Sequence, residues 1–479
     1  MRPHSRHWRT KKQAGLKKNR PQAGRENLKK LPRNSPPVTL EITHIGGRGD
    51  GVGQAKYTLD YASKSYAVFV PETLPGEVVI AQPVAVNAQG IRASLTELQK
   101  ASPERQEAPC PAFGKCGGCQ LQHLSRKSYQ SWKTGQLEKC LMDAGIEKVK
   151  WLPAFWGEEH SRRRATFSYR RTRDAAILGF LGRQTHFIEP VEGCVILHPK
   201  IKALLAPLES WAFAGLQKGD TGRLHINLLA EGADITLLPD DEIAADQQTV
   251  MASTAAKANM LSAIARLSLQ QPNSSEAITL LAPKQARLSS FGVPVILPPA
   301  VFLQASAEGE EVMRSLIALK IADNSHVLDL FCGAGTLSAG LLPKGVHLHA
   351  IDIDGPAISA FESAAHQAGF GQQARFERRN LFVAPLLPAE LKEIDSVILD
   401  PPRQGAEAQI EQLRHARISQ IFMVSCNPRT LARDLASLMA EDLYVLESVM
   451  LVDQFVYSTH IEAVACLQLA DRDNSPQDR

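Results

Sequence analysis

From Val38 to about Leu98 the chain alternates short apolar runs with turn residues: VTLEITHI, the glycine-rich GGRGDGVG, then YAVFVP and GEVVIAQPVAV. Several β-rich runs at such close spacing predict a small barrel. A Pro- and Cys-containing segment follows at 103–123, and an amphipathic helix is expected around 129–144. Residues from about 150 to 300 mix strand and helix patterns, with one distinctive run, RRRATFSYRRTR. From Val327 onward HVLDLF, VHLHAID, SVILD, IFMVS and IEAVACLQL alternate with helical patterns. That alternation predicts an α/β, doubly wound, mostly parallel sheet of Rossmann-like type. The expected organisation is a disordered basic tail (1–37), a barrel (38–98), a central α+β domain (99–300), an α/β domain (301–470) and a disordered tail (471–479). No internal repeat is present.

Composition sharpens this picture. With 479 residues, 44% hydrophobic and 22% charged, the chain can bury real cores, which excludes disorder throughout. No run approaches the ~18 apolar residues that a membrane span needs. The formal net charge of +4 hides an asymmetry: residues 1–33 hold 12 of the 54 Lys and Arg and one acid, Glu26, leaving 42 bases against 49 acids elsewhere. The first 37 residues are too polar and self-repelling to fold and read as a nucleic-acid-binding arm, or more plainly as a solubility tail. They lack the apolar core of a secretory signal, and Pro, Gly and paired lysines spoil a mitochondrial presequence, so a cytoplasmic protein is expected. Its eight cysteines would then stay reduced, and clustered ones point to metal or catalysis.

Cys110, Cys116 and Cys119 form such a cluster in CPAFGKCGGCQLQH, where Gly117 and Gly118 let backbone wrap closely. A fourth thiolate must come from afar, and Cys140 and Cys194 are the candidates. The set could hold Zn²⁺ or an iron–sulfur cluster, and one uneven triplet with a remote partner suits the cluster better than paired zinc knuckles.

VLDLFCGAGTLS reads as a strand running into a glycine loop and then a helix, with Gly333 and Gly335 permitting close ligand approach. Asp352 ends the next strand, where a carboxylate can accept both ribose hydroxyls. No Gly-Lys-Ser/Thr follows, so phosphate gripping is not expected, and S-adenosylmethionine fits better than a dinucleotide. Two more strands end in Asp400-Pro-Pro-Arg and Ser425-Cys426-Asn-Pro, delivering polar groups to the carboxyl edge where such sheets bind ligands. Cys426 is a candidate nucleophile there, against the blander reading as a buried thiol. Glu462, in THIEAV, and Asn380, in RRNLF, are unremarkable locally.

Taken together, CPAFGKCGGCQLQH, DLFCGAGTLS, LDPPRQG, VSCNPRTLARD and the terminal HIE resemble the iron–sulfur RNA uracil-C5 methyltransferases, over nearly all of 38–469. The resemblance implies that the N-terminal barrel is a TRAM domain, OB-like and RNA-binding. It implies a [4Fe–4S] cluster on Cys110, Cys116, Cys119 and Cys194, which leaves Cys140 as a helix-packing residue. It carries S-adenosylmethionine contacts to Gln304, Phe331, Thr336, Asp352, Asn380 and Asp400, the nucleophile to Cys426 and the general base to Glu462. Thr336 and Asp352 depart from the commoner Asn and Glu of the family. The chemistry so implied is methyl transfer to C5 of a uridine through a thiolate adduct at C6, on a base flipped from its stack.

The expected partner is RNA, ribosomal (23S) in preference to transfer RNA, and the expected state a monomer away from membranes. The competing readings are a base-amine methyltransferase using Asp400-Pro-Pro, which needs no nucleophilic cysteine, and a non-catalytic iron–sulfur RNA-binding protein.

Overall fold

The computed structural model describes residues 28–470 apart from 60, 61, 258, 259 and 291. The expectations for residues 1–27 and 471–479 therefore lie outside the described residues. Two compact units are present: the described residues up to His44 together with Gly51–Ala101, and Ile45–Asp50 together with the chain from Ser102 onward. The central and C-terminal stretches, anticipated as separate domains, share the second unit.

In the first unit, β2 (Val38–Ile45), β3 (Gly51–Leu59), β4 (Ala62–Val70), β5 (Val78–Asn87) and β6 (Gly90–Lys100) pair in the order β5-β2-β3-β4-β6, and a β5–β6 pairing closes the ring. The alternation predicts a small barrel, and the structure forms it from five strands. Val38, Leu40 and Ile42 point inward, packed with Val68, Val79 and Ile91. Gly53 permits close packing, since a Cβ there would lie 2.2 Å from the Glu41 carbonyl. A short strand, β1 (Lys29–Lys30), adds antiparallel to β5. Order thus begins inside the stretch expected to be tail.

The second unit opens with the cysteine segment and α1 (Arg126–Asp143), whose Ser125 caps the first turn by accepting from Ser128 N. β7 (Phe155–Trp156) leads into β8 (Arg164–Arg171), β9 (Ala176–Leu181) and β10 (Ile188–Glu189), then α2 (Pro199–Gly215). β11 (Thr221–Leu228), β12 (Ala233–Pro239), α3 (Ala245–Lys257), β13 (Ile264–Gln270) and β14 (Ala277–Leu281) complete a seven-stranded sheet ordered β10-β9-β8-β11-β12-β13-β14. A hairpin, β15 (Arg287–Ser290) and β16 (Val293–Ile296), follows.

The remainder is the doubly wound sheet: α4 (Ala307–Lys320), β17 (His326–Leu330), β18 (His347–Asp352), α5 (Gly355–Gln367), β19 (Ala374–Arg378), β20 (Ser396–Leu399), α6 (Glu407–Ala416), β21 (Gln420–Ser425), α7 (Pro428–Met439), β22 (Tyr444–Asp453) and β23 (Glu462–Leu469). Strand order is β19-β18-β17-β20-β21-β23-β22-β7. The chain starts at β17, winds one way to β19 and then the other from β20, so the direction switches between β17 and β20. Crevices of this kind bind ligands outside the carboxyl ends of the strands. β20 and β21 are buried along nearly their whole length, as strands covered on both faces must be. β23 runs antiparallel to both β21 and β22. No helix among the described residues is long and apolar enough to cross a membrane.

Candidate active site

The glycine loop leaves β17 through a backbone that few residues adopt. Phe331 has φ +62°, a left-handed value unusual for a bulky residue and a form of strain that clusters at functional sites. Gly333 and Gly335 follow at φ +54° and +75°. A Cβ on Gly335 would strike the Phe361 ring at 2.4 Å, whereas one on Gly333 would meet nothing within 4 Å. The first glycine therefore faces open space and the second faces packed core. No α-helix follows: after the turns comes a 3₁₀ segment, Ala339–Lys344, which contains Pro343 and so lacks an N–H for a continuing helical ladder. The expected helix is corrected accordingly.

Asp352, at the end of β18, holds this loop from below. Its Oδ2 accepts the Gly333 amide and its Oδ1 the Asp354 amide, both at 2.8 Å. Asp400 follows β20 and is half-buried; burial, then the charge of Asp352, push its carboxyl up to about 7. Gln304, on the segment before α4, donates from Nε2 to Asp400 Oδ2 at 3.0 Å. The Phe331 ring leans against Phe382 at 5.5 Å between centroids, and Asn380 shapes that turn by accepting the Phe382 amide at 3.1 Å. Thr336 lies half-buried just past Gly335.

Strand register brings the other two candidates face to face. Ser425 pairs with Ala463 across β21 and β23, so Cys426 and Glu462 are the next residues outward. Because β23 is antiparallel, its first residue lies at the edge where the parallel strands end. Glu462 is buried (3% exposed), and burial, then Asp400, raise its carboxyl to about 8. The half-buried Cys426 thiol is raised to about 11 by burial, then by Glu462 and Asp400. Asn427 caps α7 by accepting Arg429 N at 3.2 Å, with Pro428 in the first turn where its missing N–H costs nothing. Its Nδ2 also donates to the Arg403 carbonyl at 2.9 Å, tying the Asp400-Pro-Pro-Arg loop to the Ser-Cys-Asn-Pro loop.

Several contributing residues carried no signal in a linear reading. Gln454 donates to Glu462 Oε2 at 2.9 Å. Asp329 is 1% exposed; burial lifts its carboxyl to about 8 against the opposing hydrogen bond of Ser338, with Asp400 and Asp352 adding to the rise. A lone acid inside the apolar run VLDLF was the available clue. Lys133 and Asp453, both fully buried, pair at 2.6 Å, and Tyr129 donates to the other Asp453 oxygen at 2.6 Å. Lys133 also donates to the carbonyls of Phe455 (3.1 Å) and His460 (2.7 Å), pinning the loop before Glu462 onto α1. Arg164, from β8, sits over the exposed Phe302 ring at 4.1 Å, and its charge acts on Glu462 and Cys426. The Arg403 guanidinium lies 3.2 Å from the His460 ring, which burial, then Arg403, hold down to about 4 and hence neutral.

The cysteine segment is a second locus. Cys116, Cys119 and Cys194 are close enough to Cys110 and to one another for their charges to interact, and burial raises all three thiols, Cys119 to about 12. Gly118 N points at Cys116 Sγ (3.4 Å), and the amides of Ile196 and Leu197 favour a thiolate at Cys194. Cys140 stands apart on α1, packed against the core beneath the doubly wound sheet. Among the described residues no group of three or more His, Cys, Asp or Glu is arranged to hold a metal ion. The amides of Gln120 and Leu121 donate to the Tyr457 carbonyl at 2.9 and 3.0 Å, so this segment also buttresses the loop before Glu462.

Comparison with known proteins gives this geometry its context. Residues 299–470 match the family model described as tRNA (Uracil-5-)-methyltransferase. The chain is 35% identical over 428 residues to an RNA methyltransferase of Brucella suis, covering 89% of this chain and 97% of that one. It is 30% identical over 470 residues to a 23S rRNA (uracil(1939)-C(5))-methyltransferase of Nitrosococcus oceani, covering 92% and 98%. Its fold is similar to the Pyrococcus abyssi tRNA (uracil-54, C5)-methyltransferase solved in complex with S-adenosyl-L-homocysteine (TM-score 0.66, 20% identity, covering 90% of this chain and all of that one). Near-full-length identity to RNA-methylating relatives and a matched C-terminal region together assign the chain to the RNA uracil-C5 methyltransferase family.

Proposed function

We propose that this enzyme methylates C5 of a uridine in RNA, with 23S rRNA as its substrate, through a covalent bond between Cys426 and C6. The observation that carries the reading is the facing of Cys426 and Glu462 across β21 and β23, beside a carboxylate-lined glycine loop. The loop suits S-adenosylmethionine: Gly333 opens onto free space, and the acids Asp352 and Asp400 beside the loop offer negative charge to a cationic sulfonium. When bound, that cofactor supplies an electrophilic methyl group. Contacts would come from Gln304, Phe331, Thr336, Asp352, Asn380 and Asp400.

The C5 carbon of uracil is too weak a nucleophile to take that methyl unaided. The Cys426 thiol gives up its proton to solvent and the thiolate adds to C6, making C5 enolate-like. With the cofactor bound, C5 so activated would take its methyl group, the methyl–sulfur bond breaking as S-adenosylhomocysteine is released. Glu462 removes the C5 proton, the C6–S bond breaks, the 5,6 double bond returns and Cys426 leaves as thiolate. Arg164 and Arg403 favour the ionised forms of Glu462 and Cys426 respectively. Arg164 over Phe302, and Arg162 5.9 Å over Phe455, form the cation–aromatic lining suited to unstacked bases.

For Cys110, Cys116, Cys119 and Cys194, four neighbouring thiols with amides aimed at two sulfurs fit a [4Fe–4S] cluster. Such a cluster is wide, so its thiolates stand farther apart than around a single ion. Its proposed role is structural, since methyl transfer requires no electron.

The 23S rRNA assignment rests on relatives bearing that name over nearly the full chain. A cytoplasmic location follows from that substrate. The deciding experiment combines transfer of labelled methyl groups to uridine with Cys426→Ala. Cys426→Ala should abolish both transfer and the stable adduct with 5-fluorouridine RNA. Unchanged turnover would instead favour methylation of a base amine. Loss of 5-methyluridine from 23S rRNA in a strain lacking the protein tests the substrate, and its loss from transfer RNA alone would reassign it.

A further inference from the structure

Gln454 is the side chain that joins the cofactor side of the site to Glu462. It is 2% exposed and follows directly after β22. Its Nε2 donates to Glu462 Oε2 at 2.9 Å and to Gln304 Oε1 at 2.7 Å, and its Oε1 accepts the Ala305 amide at 2.7 Å. Gln304 passes the chain on by donating to Asp400 Oδ2 at 3.0 Å. Two carboxylates are thus linked through two amides, in the order Asp400, Gln304, Gln454, Glu462.

The direction of every bond in this chain is fixed. The Ala305 amide can only donate, so the Gln454 oxygen must face it and the Gln454 NH₂ must face Glu462 and Gln304. Gln304 must then turn its oxygen to Gln454 and its NH₂ to Asp400. Both hydrogens of Gln454 are used, and among the described residues its bond is the only one Glu462 makes through its carboxylate. Without Gln454, nothing in the pocket wall would hold that carboxylate by direct contact.

We infer that Gln454 is the positioning residue of the general base: it aims Glu462 at the C5 proton and keeps its proton-accepting form stabilised, anchored on the cofactor pocket through Gln304. The inference rests on the reading of Glu462 as the base. Burial drives this carboxyl toward its protonated form, and a donated N–H is the local counterweight. Gln454 does not touch the reacting carbon, so its loss should slow one step and spare those before it. That step is proton removal from C5, after sulfur addition and methylation.

The test uses the full-length protein with unmodified uridine RNA and S-adenosylmethionine. Gln454→Met keeps length and apolar packing and removes both donors. Turnover should fall about 10- to 100-fold, less than the roughly 10²- to 10⁴-fold that a general base itself contributes, with KM for RNA unchanged. A denaturant-resistant protein–RNA adduct should accumulate, because the methylated intermediate waits for its base. The rising limb of the kcat–pH profile should move to higher pH.

Two controls separate the possible failures. The 5-fluorouridine adduct, which forms before any C5 proton is removed, should appear normally in Gln454→Met and also reports correct folding. Glu462→Gln should accumulate adduct on unmodified RNA; if it does not, the reading of Glu462 as base fails. If Glu462→Gln accumulates adduct while Gln454→Met turns over with wild-type kcat and pH profile, the inference is overturned. Loss of the 5-fluorouridine adduct in a folded Gln454→Met would overturn it too, by placing the residue upstream.

Discussion

The two sides of the active site are built with opposite electrostatics. On the cofactor side, the parallel strands β17, β18 and β20 bring Asp329, Asp352 and Asp400 together; the charge of Asp352 raises the carboxyls of Asp329 and Asp400, and Asp400 acts on Asp329 as well. On the base side, Cys426 and Glu462 lie within the fields of Arg164 and Arg403. The proposed ligands are opposite as well, a sulfonium cation and an RNA polyanion. Strand direction makes the division possible: carboxyl ends of parallel strands collect the acids, and one antiparallel strand returns Glu462 to the same edge from a different segment. A single sheet edge can thus hold two local fields, each matched to its own ligand.

The strongest way to break the base side alone is Lys133→Met. Asp453 would be left buried and charged, and removing one partner of such a pair costs about 3–5 kcal/mol. Urea denaturation should register that loss. In the fraction that stays folded, methyl transfer should drop further than cofactor affinity, because Lys133 holds the carbonyls of Phe455 and His460 in the loop leading to Glu462. An equal loss of both would mean that the two sides are not separable.

A smaller effect of opposite sign should come from the cofactor side. Asp329 has its carboxyl raised to about 8 in the folded chain, above the unfolded value of about 3.9. The folded state therefore binds the extra proton, and this group's favourable contribution is lost as pH rises from about 4 to about 8. Asp329→Asn removes that loss. It should stabilise the fold at pH 8.5 and have little effect at pH 4, read from thermal melts across pH. At pH 8.5, where the parent carboxylate is ionised, the same variant should bind S-adenosylmethionine several-fold more weakly, and near pH 6, where Asp329 holds its proton, it should bind as the parent does. Stabilisation without weaker binding would remove Asp329 from the cofactor's field.

The contrast also explains what a linear reading could reach. The cofactor side is written in contiguous signals: an apolar strand, a glycine loop, and an acid about 20 residues on, each interpretable from neighbours in sequence. Cys426 was visible for the same reason, as a reactive residue between a strand and a proline. The base side is assembled from distant segments. Lys133 and Asp453 are 320 positions apart, and Arg164 reaches Glu462 from a different sheet. Gln454 becomes meaningful only once Ala305 and Gln304 are seen to fix its amide. Local pattern did misjudge the segment after the glycine loop, where Pro343 produces a 3₁₀ turn in place of a helix. It also put the tail's end at residue 37, although Lys29–Lys30 already pairs with β5.

The smallest predicted effect distinguishes two uses of positive charge. Arg164 could serve the RNA backbone, or it could serve the chemistry by favouring ionised Glu462 and Cys426. Burial already lowers its own pKa to about 10, so this cation has been taken largely out of water. A phosphate contact removed from the interface should reduce the salt slope of RNA binding by about one. We expect Arg164→Met to leave that slope nearly unchanged, to weaken RNA binding by no more than about 1 kcal/mol through lost stacking on Phe302, and to shift the rising limb of the kcat–pH profile upward. Arg164→Lys should restore the pH profile but not the affinity, since lysine keeps the charge without the planar face. Removing residues 1–27, which carry nine basic residues, should do the reverse: flatten the salt slope and leave the pH profile alone. If Arg164→Met instead lowers the slope like a phosphate contact, the base side's charge belongs to RNA capture, and the division of the site into two chemical fields fails at that residue.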